Sequence, residues 1–267
     1  MTLVLGIDAA WTQHHPSGVC LVCANEAGAR VLALAPSYRA FLGAARGEAV
    51  AWGAAAGEEP PVGALIEAAE RIGAAPLDVV AVDMPLARTP ITGRRPSDDL
   101  VSRVFGRAKC STHSPQPHRP GARAERLRDG FAAQGLALAT AADAPGRGRA
   151  LIEVYPHVAL LRLCRRDERL PYKVAKSSRY WPGTPVVARI GRLLAEWRVI
   201  VDGLSGAIEG VETHFPVAAA AGPGTLAALK PYEDGLDALV CAWVGLRFAQ
   251  GQAKAYGDAT AAIWAPT

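Results

Sequence analysis

Two acidic residues follow apolar runs at positions where a carboxylate can do chemistry. Asp8 ends the apolar run 3–7, and Asp83 ends a second run over residues 77–82. Each run has the length and composition of a buried strand, and ligands of open α/β sheets bind beyond the carboxyl ends of such strands. If the two strands are parallel neighbours, the two carboxylates lie side by side and can share a metal ion.

Three further acids complete the candidate set. Glu153 lies within the predicted strand 150–154, while Asp234 and Asp237 are three residues apart in a segment with helical spacing. Side chains three apart on a helix project from one face, so this pair can approach one point. The predicted metal ligands are Asp8, Asp83, Glu153, Asp234 and Asp237, and the predicted catalytic residues are Asp8, Asp83, Glu153 and Asp237.

Clustered carboxylates raise one another's pKa unless a cation or a shared proton compensates them. Their hard oxygen atoms suit Mg²⁺ or Mn²⁺, and two such ions roughly 3.5 to 4 Å apart can promote phosphodiester hydrolysis. In the predicted arrangement Asp8 bridges two ions, Asp83 and Glu153 hold one, and Asp234 with Asp237 holds the other. The predicted function is therefore metal-dependent hydrolysis of phosphodiester bonds in nucleic acid.

The elements that position these acids follow from hydrophobic periodicity. Strands are predicted over residues 3–7, 18–24, 30–35, 77–82 and 150–154, and helices over 38–56, 61–72, 122–134, 185–197 and 232–248. This order predicts an α/β fold of ribonuclease H-like topology, in which a mixed sheet combines a three-strand antiparallel meander with parallel strands and is flanked by helices. A single domain over residues 1–267 is expected, with insertions at about 88–135 and 162–182.

Four segments resemble the signature blocks of domain-of-unknown-function family 429. They are GIDAAW at residues 6–11, VDMPL at 82–86, IEVYPH at 152–157 and DGLDALVCA at 234–242. The last block also resembles the Asp-x-x-Asp-Ala helix of Holliday-junction resolvases. The family is described as predicted nucleases, so the resemblance implies a ribonuclease H-like fold, an acidic site and nuclease activity.

Basic residues are concentrated in the first insertion. Residues 88–128 contain ten Lys and Arg against three acids, and such an excess can neutralise phosphates and release counterions. The same excess is also compatible with a solvated loop. The predicted substrate-binding residues are Arg95, Arg103, His113 and Arg119, together with Lys173 of the second insertion. A lone histidine is more often a hydrogen-bonded structural residue, and this alternative applies to His113.

The acids also have structural explanations. Taken alone, Asp8 is compatible with a turn residue at a strand end, and Asp234 with a helix cap. An acid inside an apolar strand is costly to bury unpaired. Glu153 therefore has a structural explanation if an arginine such as Arg149 or Arg162 pairs with it.

Two other function classes remain open. One is a catalytically inactive module of the same fold that binds nucleic acid or protein. The other is an actin-like phosphoryl transferase, although Asp8 is followed by Ala9-Ala10-Trp11 rather than by a glycine-rich phosphate loop. The net charge of +4 is compatible with a polyanionic partner. The residues do not distinguish DNA from RNA and do not determine the oligomeric state.

Composition bears on location. The five cysteines form no regular disulfide framework, and the amino-terminal segment has no basic leader. No apolar stretch is long enough to span a bilayer. A cytoplasmic protein that is not inserted in a membrane is expected.

Overall fold

A computed structural model describes residues 1–53, 55–217 and 224–267. Within them, eight strands form one sheet. The strands are β1 (Thr2–Asp8), β2 (Gly18–Asn25), β3 (Gly28–Ala35), β4 (Val79–Val82), β5 (Ala137–Leu138), β6 (Ala150–Val154), β7 (Ala253–Gly257) and β8 (Ala262–Pro266).

Nine α-helices are assigned to the same part of the chain. They are α1 (Tyr38–Ala44), α2 (Val62–Gly73), α3 (Pro96–Phe105), α4 (Ala122–Ala133), α5 (Pro156–Leu163), α6 (Ser177–Tyr180), α7 (Val186–Ser205), α8 (Val211–His214) and α9 (Leu226–Ala249). A 3₁₀ turn, Val174–Lys176, precedes α6. None of the described helices combines the length and apolar character needed to cross a membrane.

The sheet is mixed, with strand order β3-β2-β1-β4-β6-β8-β7, and β5 pairs with β6 beside this path. Strands β1, β2 and β3 form an antiparallel meander, and β4, β6 and β8 run parallel to β1. The predicted α/β class and the predicted combination of a meander with parallel strands are confirmed.

Both faces of the sheet are covered, so residues 3–7 of β1 are all apolar. Leu3, Leu5 and Ile7 belong to a core that includes residues of α1, α2 and α4. Val4 points to the opposite core, which is built largely from α7 and α9. Alternate residues of one strand thus contact different helical layers. The buried strand explains why the acid at its end is the first polar side chain of the run.

The helix predicted over residues 38–56 is shorter than expected. Ser37 caps its first turn by accepting a hydrogen bond from the Ala40 N–H at 3.1 Å, but α1 ends at Ala44. Gly47 follows with a φ of 85°, a left-handed conformation that a continuing helix excludes. Of the remaining predicted residues, Ala54 lies outside the described part of the chain.

The chain does not end with a helix. After α9, β7 and β8 form an antiparallel hairpin, and β8 pairs in parallel with β6, where Glu153 is aligned with Ile263. No strand was predicted in this part of the sequence. Both strands are short and contain alanines, whose helix propensity conceals a strand in the sequence.

Candidate functional site

Asp8 and Asp83 lie side by side at the carboxyl end of the sheet. Strands β1 and β4 are parallel neighbours with Ile7 aligned with Val82, as predicted, and the Asp83 N–H donates to the Ile7 carbonyl at 2.9 Å. Both acids are half-buried. They line a cavity of about 520 Å³, the acidic cavity, together with Asp234 and Lys230.

Two glycines allow α9 to lie directly on the sheet beside Asp8. A Cβ atom added to Gly6 would be 2.1 Å from the Ala238 carbonyl oxygen, and one added to Gly18 would be 2.1 Å from the Asp234 carbonyl oxygen. Gly18 is also the antiparallel partner of Asp8. Because no side chain separates the helix from the strands, the acids of α9 come close to Asp8.

Lys230 compensates one of the α9 acids. Its ammonium group donates to Asp234 one turn later in the helix and to Glu233 at 2.9 Å. Glu233 and Asp234 are both almost fully buried. The sequence prediction overlooked Lys230, although its spacing of four from Asp234 is typical of a helical ion pair.

Lys173 compensates the charge of Asp237, the next acid of α9. Its ammonium group donates to one carboxylate oxygen of Asp237, and the Tyr172 hydroxyl donates to the other at 2.6 Å. The Lys173 nitrogen is also 3.7 Å from Glu233. The Tyr172 carbonyl accepts a hydrogen bond from the Trp197 indole N–H at 2.9 Å, which connects this segment to α7. Lys173 thus lies beside the acids as a charge partner of Asp237.

Burial and repulsion raise the pKa values of these acids. Burial, with the neighbouring charge of Asp234, raises the pKa of Asp8 to about 7. Burial and the charge of Asp8 raise the pKa of Asp83 well above its ordinary range. Burial raises the pKa values of Asp234 and Asp237 to about 6, although their lysine partners act in the opposite direction. The cluster therefore carries negative charge that the protein compensates only in part.

The four aspartates differ in their partners. Asp234 and Asp237 each bind a lysine, whereas no Lys, Arg or His nitrogen of the described residues lies within 4.0 Å of a carboxylate oxygen of Asp8 or Asp83. Across residues 1–53, 55–217 and 224–267, no group of three or more His, Cys, Asp or Glu side chains is arranged to hold a metal ion. The convergence therefore leaves one pair of carboxylates, Asp8 and Asp83, without a direct ion pair among the described residues.

Glu153 belongs to a separate buried cluster. Arg95 donates to both of its carboxylate oxygens, at 2.5 and 2.7 Å, and to Asp98 at 2.8 and 2.9 Å. The Leu86 N–H also donates to Glu153 at 2.7 Å. A structural arginine partner was one explanation for Glu153 from the sequence, but this partner is Arg95. Two residues that were predicted to bind metal and substrate are thus bound to each other.

Three of the other four predicted substrate-binding residues border one cavity, and only Arg103 lies apart. His113 and Arg119 border the acidic cavity and also a second cavity of about 350 Å³. Lys173 borders the second cavity, while Arg103 is exposed on α3 and borders neither. The second cavity also contains Arg169 and Lys176, which were not predicted. Residues 162–179, which include both, are rich in Arg and Lys, but the sequence gives no indication of which cations turn inward.

A family model described as "Protein of unknown function (DUF429)" matches residues 6–261. No curated protein and no solved structure matches the chain. The match spans the segments that carry Asp8, Asp83, Glu153 and Asp237.

Proposed function

The chain belongs to the DUF429 family, and we propose that it hydrolyses phosphodiester bonds in nucleic acid with the help of a divalent metal ion. The description of the matching family model does not name the nuclease activity that the resemblance implies, so that activity stays a prediction. The observation that carries this proposal is the pair Asp8 and Asp83. Their carboxylates lie side by side in a cavity, have raised pKa values and have no cationic partner among the described residues. Such a pair favours a bound cation.

The strand order supports a ribonuclease H-like fold. The meander β3-β2-β1 continues into the parallel strands β4 and β6, and the acids lie beyond the carboxyl ends of β1 and β4. Open sheets bind ligands at this edge. Helix α9 packs against β1 and β2 at Gly6 and Gly18 and brings Asp234 and Asp237 towards Asp8, which supports the proposed site.

Asp8, Asp83 and Asp234 present carboxylate oxygens to the acidic cavity. Such hard oxygen ligands suit Mg²⁺ or Mn²⁺. Asp8 and Asp83 would hold the ion, with Asp234 adjacent. When bound, such an ion lowers the pKa of water and stabilises charge on a phosphoryl group. A second ion at Asp234 and Asp237 requires Lys230 and Lys173 to move away, so the site at Asp8 and Asp83 has the stronger support.

The chain's own residues would bind and orient the substrate. Arg119 and His113 border the acidic cavity and can donate to phosphate oxygens. Lys173 and Lys230 hold the acids of α9 in place beside Asp8. A phosphodiester would therefore be bound between the acids and the basic rim of the cavity.

Cleavage assays test the proposal. Labelled single-stranded, duplex and branched DNA and RNA are incubated with Mg²⁺ or Mn²⁺ and either the wild type, Asp8→Asn or Asp202→Asn. Asp202 is an exposed acid on α7 and serves as the matched control. We expect metal-dependent cutting that Asp8→Asn abolishes and Asp202→Asn retains. Absence of cutting on every substrate, while calorimetry detects Mn²⁺ binding, overturns the nuclease assignment.

A second candidate is a nucleic-acid-binding module without catalysis. It is favoured by the lysine partners of Asp234 and Asp237, which compensate these acids without a metal ion. In this case nucleic acid binds in the presence of a chelator. Asp8→Asn then leaves binding unchanged or strengthens it, because repulsion of phosphate falls.

A further inference from the structure

The second cavity contains cations that have no carboxylate partner. No Asp or Glu oxygen of the described residues lies within 4.0 Å of a side-chain nitrogen of Arg169, Lys176, Arg119 or His113. The residues outside the described part, 54 and 218–223, include no acid. Arg95, which borders the same cavity, is by contrast bound to two carboxylates. The second cavity is also bordered by four acids, Asp83, Asp98, Glu153 and Glu233. We call its part around Arg169, Lys176, His113 and His157 the basic cavity.

Two cations of the basic cavity contact a neutral histidine ring rather than a carboxylate. The Arg169 guanidinium contacts Nε2 of His157, and the Lys176 ammonium group is 3.3 Å from Nε2 of His113. A ring nitrogen that faces a cation must accept, so the proton of each neutral imidazole is on Nδ1. These histidines cannot neutralise the cations beside them.

Some donors of this cavity remain unsatisfied. His157 is 5% exposed, and both its Nδ1 and the Nε of Arg169 are buried without a hydrogen-bond partner among the described residues. Buried donors are nearly always satisfied in proteins. Burial, together with Arg169 and Lys173, lowers the pKa of Lys176 to about 8. Burial and nearby cations also hold the pKa of His157 well below its ordinary value. An anion with several acceptor oxygens would accept hydrogen bonds from the unsatisfied donors, and its negative charge would offset the excess of cations.

We propose that the basic cavity binds a phosphate group of the substrate, next to the phosphodiester that is cleaved. The inference rests on the proposed function and extends it to the substrate's neighbouring phosphate. Asp83, His113 and Arg119 border both cavities, so one nucleic-acid strand can occupy them together. Arg169 and Lys176 supply charge-assisted donors to this phosphate.

The test measures binding of inorganic phosphate by ³¹P NMR at pH 7, in the presence of a chelator and without divalent metal. The proteins compared are the wild type, Arg169→Gln, Lys176→Gln and the control Arg166→Gln. Arg166 is exposed in the same segment and borders neither cavity. We expect the wild type and the control to bind equally, and each of the other variants to bind about tenfold to a hundredfold more weakly.

Two results overturn the inference: no phosphate binding by the wild type, or equal binding by Lys176→Gln and the control. If Arg169→Gln unfolds because its contact with His157 is lost, Lys176→Gln decides alone. The proposed hydrolysis is tested separately by Asp8→Asn, which should still bind phosphate. Metal-dependent cleavage without phosphate binding contradicts the proposed phosphate site in the basic cavity but not the proposed hydrolysis. Phosphate binding without cleavage supports the subsite and removes only the nuclease assignment.

Discussion

Gly6 of β1 and Ala238 of α9 are in such close contact that a methyl group on Gly6 would lie 2.1 Å from the Ala238 carbonyl oxygen. The same group would lie 2.4 Å from the Ala242 nitrogen. Both neighbours are backbone atoms of one helix and cannot rotate away. The position of the α9 acids beside Asp8 therefore depends on the absence of a side chain at Gly6.

Gly6→Ala is expected to lower the free energy of unfolding by about 1 to 3 kcal/mol or more, because the added methyl group must displace helix α9. The control is Gly191→Ala in α7, where an added Cβ meets nothing within 4 Å. That change should be neutral or stabilise the protein by up to about 1 kcal/mol, since alanine is the better helix former. Urea unfolding measures both, and equal midpoints for Gly6→Ala and the wild type would contradict the prediction.

Arg95→Met is expected to destabilise the fold by about 3 to 5 kcal/mol, because it leaves Glu153 and Asp98 buried without their cation. Arg103→Met serves as the control. Arg103 is exposed on α3, the helix that Arg95 caps, and its replacement should change stability by less than about 0.5 kcal/mol. Chemical unfolding compares the two, and similar losses would argue against a special role of the buried cluster.

Lys173→Met is expected to destabilise the protein because it leaves the fully buried Asp237 without its closest cation. The loss should be about 3 to 5 kcal/mol. Adding Asp237→Asn should recover part of it, because asparagine has no charge and can still accept from the Tyr172 hydroxyl. A double-mutant cycle by denaturant unfolding measures this coupling. Additive losses would show that the two side chains act independently.

The contribution of Asp8 to stability should fall as pH rises from about 4 to about 7. The pKa of Asp8 is about 7 in the folded protein, because of burial and Asp234, against about 4 in an unfolded chain. Between these values the folded state binds more protons, so raising the pH favours unfolding. Asp8→Asn should therefore reduce the difference in Tm between pH 5 and pH 8, and Asp202→Asn should not. An unchanged difference in Asp8→Asn would contradict the raised pKa.

Much of the framework was predictable from local patterns. An apolar run that ends in an acid predicted both β1 and β4, and hence the neighbouring positions of Asp8 and Asp83. A spacing of three on a helix placed Asp234 and Asp237 on one face. These features depend on periodicity and chain order, which a sequence records directly.

The charge partners were decided by the tertiary structure. Arg95 and Glu153 are 58 residues apart, and Lys173 and Asp237 are 64 apart. No local pattern connects such pairs. The position of β8 is likewise determined by hydrogen bonding to β6. The residues of β8 did not predict a strand, because the segment is short and contains alanines. The sequence predicted that Asp8 and Asp83 are neighbours at the sheet edge, but it grouped with them Glu153, which is bound to Arg95 instead. Only packing determined which carboxylates are compensated by a buried cation and which remain free for a ligand, because compensation depends on distances that the folded chain creates.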